Sequence, residues 1–370
     1  MTEELRTTPL HDEHLRLGAR MVDFSGFSLP VHYPAGIRSE HKAVREAAGL
    51  FDVSHMGEFE ISGHEALQFV QYATTNDASS LSVGQAQYSL LCSPQGGVID
   101  DLLVYRTGVA SFLLVVNAAT REKDFQWLSS HVSGFAAMLE DRSDTYALLA
   151  LQGPKAPSIL QNVTDIPLDG IGSFHFVRAR LFGCETIIAR TGYTGEDGFE
   201  LYLPAGCAAG VWKRLLDEGV SHGLAPAGLG ARDILRLELG YGLYGADLDE
   251  EHTPLEAGLG WVVKLNKGPF LGQSALAKQR EVGLSRRLVG IRASERVFPR
   301  PGYPVIQGGD VIGTLTSGTM SLTLNAGIAM AYVPIDAASE GTAVVIRVRG
   351  RDVPGSVVRL PFYEGGSRKR

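Results

Sequence analysis

Four stretches of the sequence gather residue types that can do chemistry. In Gly96-Gly97-Val98-Ile99-Asp100-Asp101-Leu102-Leu103-Val104-Tyr105, two acids stand side by side in an apolar run. Strand neighbours point to opposite faces, so only one of them can look into a given cavity. A buried carboxylate is expensive unless something pairs with it, and the competing reading is an acid on a solvated strand edge or turn. Arg190-Thr191-Gly192-Tyr193-Thr194-Gly195-Glu196-Asp197-Gly198-Phe199-Glu200 sets glycines among polar and aromatic residues, the composition of a tight, shaped loop that can carry binding residues. The competing reading is an elaborate hairpin with solvated acids; EF-hand ligand spacing is absent. Pro226 to Glu238 runs a glycine-rich entry into a helix, whose free N–H groups and positive end could face an anion. Arg232 is oddly placed there and calls for an acidic partner, either a ligand carboxylate or a buried acid; pattern alone favours an internal ion pair. In Phe51 to Glu58, His55 could act as a general base, although a hydrogen-bonded structural histidine is the commoner outcome. Met56 beside it offers an adaptable apolar surface for a flat ring.

The elements that must position these residues read as a duplication. In the first copy Glu58–Ile61 is strand-like, Gly63 turns the chain and His64–Tyr72 is helix-like; in the second, Tyr146–Leu151, Gly153 and Pro154–Gln161 repeat the order. A hairpin follows each helix, turned at Ser93–Gly97 and at Phe182-Gly183. Each copy then ends in a strand and a helix, Phe112–Val116 into Ala119–His131 and Phe199–Leu203 into Cys207–Glu218. The order β-α-β-β-β-α in both halves predicts paired α+β lobes, with copies at about 54–140 and 141–225. Ahead of them the chain reads as helix and loop, with Ser39 capping a helix that Gly49 ends. From Arg286 helix signals vanish and short alternating runs predict an all-β, barrel-like domain, with Gln279–Arg287 as the linker.

Composition narrows the function. The 370 residues allow two or three domains, and a formal net charge of −7 argues against a nucleic-acid-binding protein. Cys92, Cys184 and Cys207 have no C-x-x-C spacing, so neither a zinc site nor a redox pair is expected, and the sparse odd count suits a reducing compartment. The polar, acidic N-terminus lacks the marks of a signal or transit peptide, and no apolar run is long enough to span a bilayer, so a cytoplasmic protein is expected. Nucleophile-elbow, P-loop, H-E-x-x-H and kinase signatures are absent. The residues alone lead to a small-molecule enzyme with its site between two α+β lobes.

Together these stretches, with Met21–Phe27, Trp261–Lys264 and Pro361–Tyr363, resemble the glycine cleavage system T protein (aminomethyltransferase) family in order along nearly the whole chain. The resemblance implies duplicated ferredoxin-like α/β-sandwich lobes over residues 1–280 and a C-terminal β-barrel over 281–370, arranged as a clover leaf around tetrahydrofolate. It implies a lipoylated H protein as partner, whose arm brings an aminomethyl group. The products would be 5,10-methylenetetrahydrofolate, ammonia and the dihydrolipoyl arm. A pterin is a flat ring with an amide-like N–H edge, suited to aromatic faces and a carboxylate accepting two N–H bonds. Glu200 matches the family's pterin-contacting acid, with Glu185 as a second acid near the ring. Tyr88, Tyr193 and Met56 would line the ring and the p-aminobenzoyl group, and Arg232 would hold the glutamate carboxylate. Tyr241 and Arg368 match positions near the site. Asp101, not Asp100, matches the catalytic acid. Family members often carry an aromatic pair where this chain has Ser173-Phe174-His175-Phe176, so no contact is assigned to Ser173. Two other readings are a folate-dependent demethylase of the same superfamily and a folate-binding iron–sulfur assembly factor; the Lys-Gly-Cys motif of the latter is absent.

Overall fold

The computed structural model describes residues 4–368. After a short helix, His11–Arg16, the strand Arg20–Phe24 turns back onto Phe27–His32. A hairpin stands where helix and loop were expected, because Ser25 and Gly26 both adopt positive φ, the geometry of a tight hairpin turn. Helix α1 (Ile37–Glu46) starts after Gly36; Ser39 lies inside it and does not cap it.

The duplicated region then alternates as the hydrophobic pattern predicts. Strand β1 (Ala48–Asp52) precedes the first copy, which comprises β2 (Gly57–Ser62), α2 (Ala66–Ala73), β3 (Ala86–Cys92), β4 (Val98–Gly108), β5 (Ser111–Val116) and α3 (Arg121–Val132). Strand β6 (Met138–Asp141) precedes the second copy, which comprises β7 (Tyr146–Gln152), α4 (Ala156–Gln161), β8 (Phe176–Leu181), β9 (Cys184–Ala189), β10 (Gly198–Pro204) and α5 (Ala208–Gly219). The two sheets run β3-β4-β5-β2-β6 and β8-β9-β10-β7-β1-β11, where β11 is Leu224–Pro226. Each copy's leading strand therefore serves the other sheet: β1 lies antiparallel to β7 with Leu50 opposite Leu151, and β6 lies antiparallel to β2 with Leu139 opposite Ile61.

Strand alternation divides the core. Leu149 and Leu151 of β7 pack with Trp212 and Leu215 of α5, while Phe59 and Ile61 of β2 pack with Phe69 and Val70 of α2. The opposite faces of the two sheets meet in a third layer, where Tyr105, Leu113 and Val115 pack against Leu148, Ala150 and Tyr202. Both faces of β7 are thus covered, which is why it reads as a continuous apolar run.

Helix α6 (Leu229–Glu238) follows β11, and α7 (Gln273–Val282) extends through residues expected to be linker, so the connection is only 283–285. Strands β12 (Arg286–Ala293), β13 (Pro304–Gln307), β14 (Asp310–Ser321), β15 (Ala326–Pro334), β16 (Ala343–Val348) and β17 (Arg351–Val358) close a barrel in the order β12-β15-β14-β13-β16-β17. Buried side chains of α6 bind it to the lobes: Glu238 accepts from Ser321 Oγ at 2.6 Å, and Arg236 donates to Ser317 Oγ at 2.8 Å. The cysteine reading needs correcting, since Cys184 and Cys207 are joined in a disulfide and only Cys92 is free and buried. Among the described residues no helix is long and apolar enough to cross a membrane, and no group of three metal-ligating side chains occurs.

The two repeat turns are equivalent in detail. Gly63 and Gly153 have φ of 125° and 135°, and a Cβ there would stand 2.6 Å from the Ala136 carbonyl oxygen and 2.5 Å from that of Ala47. Those carbonyls sit just ahead of the exchanged strands and accept from Glu65 N–H at 3.1 Å and Lys155 N–H at 2.9 Å. Gly153→Ala is therefore expected to destabilise the protein by about 1–3 kcal/mol, from backbone strain and overpacking. Gly63→Ala should do the same, whereas alanine at the open position Gly206 should leave a urea melt unchanged within about 0.5 kcal/mol.

Candidate active site

Asp100 and Asp101 sit in the first half of β4, Asp100 fully buried and Asp101 half-buried. Asn117, just beyond the end of the neighbouring β5, holds both. Its backbone N–H donates to Asp100 Oδ2 at 3.0 Å, and its amide Nδ2 lies 2.9 Å from both Asp100 Oδ1 and Asp101 Oδ1. Tyr88 of β3 donates its hydroxyl to Asp101 Oδ2 at 3.0 Å. Burial, and then the charge of Asp100, push the Asp101 carboxyl up to about 7, so near neutrality it can accept or release a proton. Neither acid is a solvated edge residue.

The Tyr88 ring stacks on Trp261, 6.0 Å between centroids, and Trp261 is itself 60% exposed. The charge of Asp101 also acts on Tyr193, whose ring lies 4.8 Å beneath the Arg232 guanidinium and stacks on Tyr241 at 5.6 Å. The Tyr193 hydroxyl donates to the Gly242 carbonyl, and Arg368 Nη1 donates to the Tyr241 hydroxyl at 3.2 Å. Tyr193, Arg232, Tyr241 and Arg368 are thus linked contact by contact, and the Asp101–Tyr88 pair acts on them through its charge.

Glu200 joins them from β10. Burial raises its carboxyl above the usual range, opposed by a hydrogen bond from Thr191 Oγ1 to Oε2 at 2.5 Å and by the charges of Arg232 and Arg368. Its Oε1 receives no donor among the described residues. The acids just before it are structural: Asp197 takes both Nε and Nη2 of Arg190, at 2.8 and 2.7 Å, and Glu196 takes Arg45 Nη1 at 2.7 Å. The loop is a hairpin with buried, paired acids rather than solvated ones.

Arg232 corrects the expectation of an internal ion pair. That pair belongs to Arg236, one turn on, which binds Asp247 and Asp233 at 2.8 Å each. The Arg232 guanidinium meets no hydrogen-bond acceptor among the described residues and keeps only the face of Tyr193 and the field of Glu200. Burial lowers its proton affinity, the mark of a cation short of its counter-charge.

Glu185 is not brought to this cluster. It lies at the outer end of the β8–β9 hairpin, two-thirds exposed and paired with Arg180 at 2.6 Å, because the strand turns at Phe182-Gly183 before reaching the sheet interior. Met56 packs against the layer between the sheets. His55 is buried between Phe24 and Phe27, its Nδ1 unpartnered among the described residues, and burial holds it down at about 4; it is a neutral packing residue. Asn117, Thr191 and Trp261 were not anticipated as site residues. Asn117 had a readable signal, a polar residue directly after an apolar strand and before a helix. Ser173, assigned nothing, lies 3.4 Å from Arg368 Nη2, and Phe174 lies under that guanidinium at 5.0 Å.

Residues 10–267 match the family model of the GCVT N-terminal domain, and residues 286–364 match the glycine cleavage T-protein C-terminal barrel domain. The chain is 51% identical to an aminomethyltransferase of Halothermothrix orenii over 97% of its own length and all of that protein. It is 45% identical to an aminomethyltransferase of Bacillus subtilis over 97% of its length and 99% of that protein. The crystal structure of the glycine cleavage system aminomethyltransferase T from Bartonella henselae superposes with a TM-score of 0.93 at 37% identity, covering 99% of this chain and all of that one.

The shifted Asp101 carboxyl makes stability depend on pH. Below the ordinary value of 3.8 the acid is protonated folded or unfolded and imposes no cost; as pH rises towards about 7 only the unfolded chain gains by ionising, so folded stability falls. Asp101→Asn is therefore expected to melt at a higher temperature than the wild type at pH 8, with the gap closing by pH 4. A gap of equal size at both values would show that the ionisation of Asp101 is not its source.

Proposed function

The chain belongs to the glycine cleavage T-protein family and is an aminomethyltransferase of the glycine cleavage system, and we propose that its acceptor, tetrahydrofolate, is held by the cluster around Asp101 and Glu200. The observation that carries this reading is Arg232 with Glu200: a half-buried cation without an acceptor, lying over the Tyr193 ring, feels the charge of a buried carboxylate with one unused oxygen. Left to itself such a cluster is costly, and a ligand with an N–H edge and a remote carboxylate satisfies both ends. Glu200 Oε1 would accept from the pterin edge, Tyr88 and Tyr193 would cover its faces, and Arg232 would bind the glutamate carboxylate, with Tyr241 and Arg368 around it. Met56 keeps its proposed place at the apolar wall. Residues 1–280 would form the folate-binding region and 281–370 the barrel that closes it.

Bound tetrahydrofolate supplies the amine nitrogens that take up the one-carbon unit delivered on the lipoyl arm of the H protein. Asp101 serves as the proton acceptor for those nitrogens. Its charged form is held in place by Tyr88 and Asn117, and its position near the middle of the pH scale suits it to take a proton and release it again. Ammonia and the dihydrolipoyl arm leave as products.

Ammonia release from aminomethylated H protein, with and without tetrahydrofolate, tests the reading. Asp101→Asn is expected to lower turnover by about 10²–10⁴-fold while tetrahydrofolate still binds. Arg232→Gln and Glu200→Gln should instead raise the Kd for tetrahydrofolate by about tenfold or more, as loss of a charge-assisted contact does. Unchanged folate affinity in both would remove these residues from the site, and wild-type turnover in Asp101→Asn would remove Asp101 from the mechanism.

A further inference from the structure

Below Asp100 lies an acid that the reading above does not use. Asp124 is in the first turn of α3, fully buried, and no donor among the described residues reaches either of its carboxyl oxygens. The Thr120 hydroxyl lies near both the Asp124 and the Asp100 carboxyls but goes to the Asn117 carbonyl at 3.1 Å, and Lys123 Nζ turns away to Ile99 O, Tyr244 and Glu250 at 2.8, 2.6 and 3.0 Å. The group facing Asp124 is the carboxyl of Asp100, close enough to hydrogen-bond. Two buried carboxylates in that position repel; one proton between them turns the contact into a hydrogen bond. Asp100 in turn holds both the backbone N–H and the side-chain amide of Asn117, and that same amide reaches Asp101.

We propose that Asp124 is a positioning residue for the one-carbon transfer: sharing a proton with Asp100, it fixes Asn117 and through it the carboxylate of Asp101. The inference rests on the role given to Asp101. Burial and the charge of Asp100 lift the Asp124 carboxyl to about 10, so the proton stays with this pair across the working range. The other groups that set the field are few. Asp100 feels Tyr244, Tyr88, Asp101 and the Thr120 hydroxyl besides Asp124, and Asp101 feels Tyr88, Tyr193 and Asp100. Lys123 acts on Asp124 from its own helix. If the shared proton is lost, Asp100 keeps its charge with one donor fewer, and its repulsion on Asp101 grows.

The test compares Asp124→Ala, Asp124→Asn and Asp101→Asn in the ammonia-release assay with aminomethylated H protein, across pH. Asn carries an N–H donor that can stand in for the shared proton; Ala carries none. Asp124→Ala is expected to lose about 10- to 100-fold in kcat with little change in KM for tetrahydrofolate, as for a catalytic group displaced slightly. Its acidic limb should move to higher pH by about half a unit or more. Asp124→Asn should recover turnover to within about threefold of wild type, with the limb in its original place. Equal loss in both variants with an unmoved limb, or wild-type turnover and limb in Asp124→Ala, overturns the inference while Asp101→Asn remains inactive. Should Asp124→Ala fail to fold, the limb and turnover of Asp124→Asn decide: a loss beyond about tenfold in a folded protein overturns it. Activity in Asp101→Asn would instead strike at the underlying reading.

Discussion

The site depends on holding Asp100 and Asp101 in the interior with no cation among their hydrogen-bond partners. Asp100 and Asp101 follow one another on a strand, and a strand sends neighbours to opposite sides. A single asparagine at the end of the next strand reconciles them, because its backbone N–H and its amide together reach three carboxylate oxygens. The position of that asparagine is set by where β5 stops and α3 begins. The register of β4 against β5, with Leu103 opposite Val115, is therefore also the setting of the site. Sheet packing, usually discussed as stability, here fixes the placement of a proton acceptor.

Helix α6 performs the complementary task with positive charge. Arg232 and Arg236 are one turn apart and so share a face. Arg236 is neutralised by Asp247 and Asp233, and Glu238 by Arg45, with His41 Nε2 at 3.1 Å; these contacts tie α1 to α6, and Ser317 and Ser321 of the barrel bind the same two side chains. Glu238 is held down at about 2, so its charge persists across the range in which the enzyme works. Buried ion pairs of this kind add little net stability but fix one arrangement over others. Their satisfaction leaves Arg232 as the unspent cation of the helix.

Most of the fold was legible because its strands and helices carry strong periodicity, and the repeat doubled the signal in Glu58–Tyr72 and Tyr146–Gln161. What the pattern could not carry was non-local. The exchange of β1 and β6 between sheets leaves no trace in the local sequence, and the Cys184–Cys207 pairing depends on a hairpin end meeting a helix start. The Ser25-Gly26 hairpin was missed because a serine at positive φ is uncommon. Within the site, Asp101, Glu200 and Arg232 stood out as charges in apolar or glycine-rich settings. Glu185 looked equivalent in sequence, but hairpin geometry sends it outward to Arg180. Asn117 and Asp124 earned no notice, since their importance comes from contact with an aspartate on another strand.

The reciprocal loan of leading strands also bears on how the protein is made. As the nascent chain leaves the ribosome, Ala48–Asp52 emerges long before Tyr146–Gln152, the segment it must lie beside. Until then an apolar, aggregation-prone strand has no home, and the first lobe lacks Met138–Asp141 at its own edge. Neither sheet can be complete until strands from both halves of the repeat have emerged.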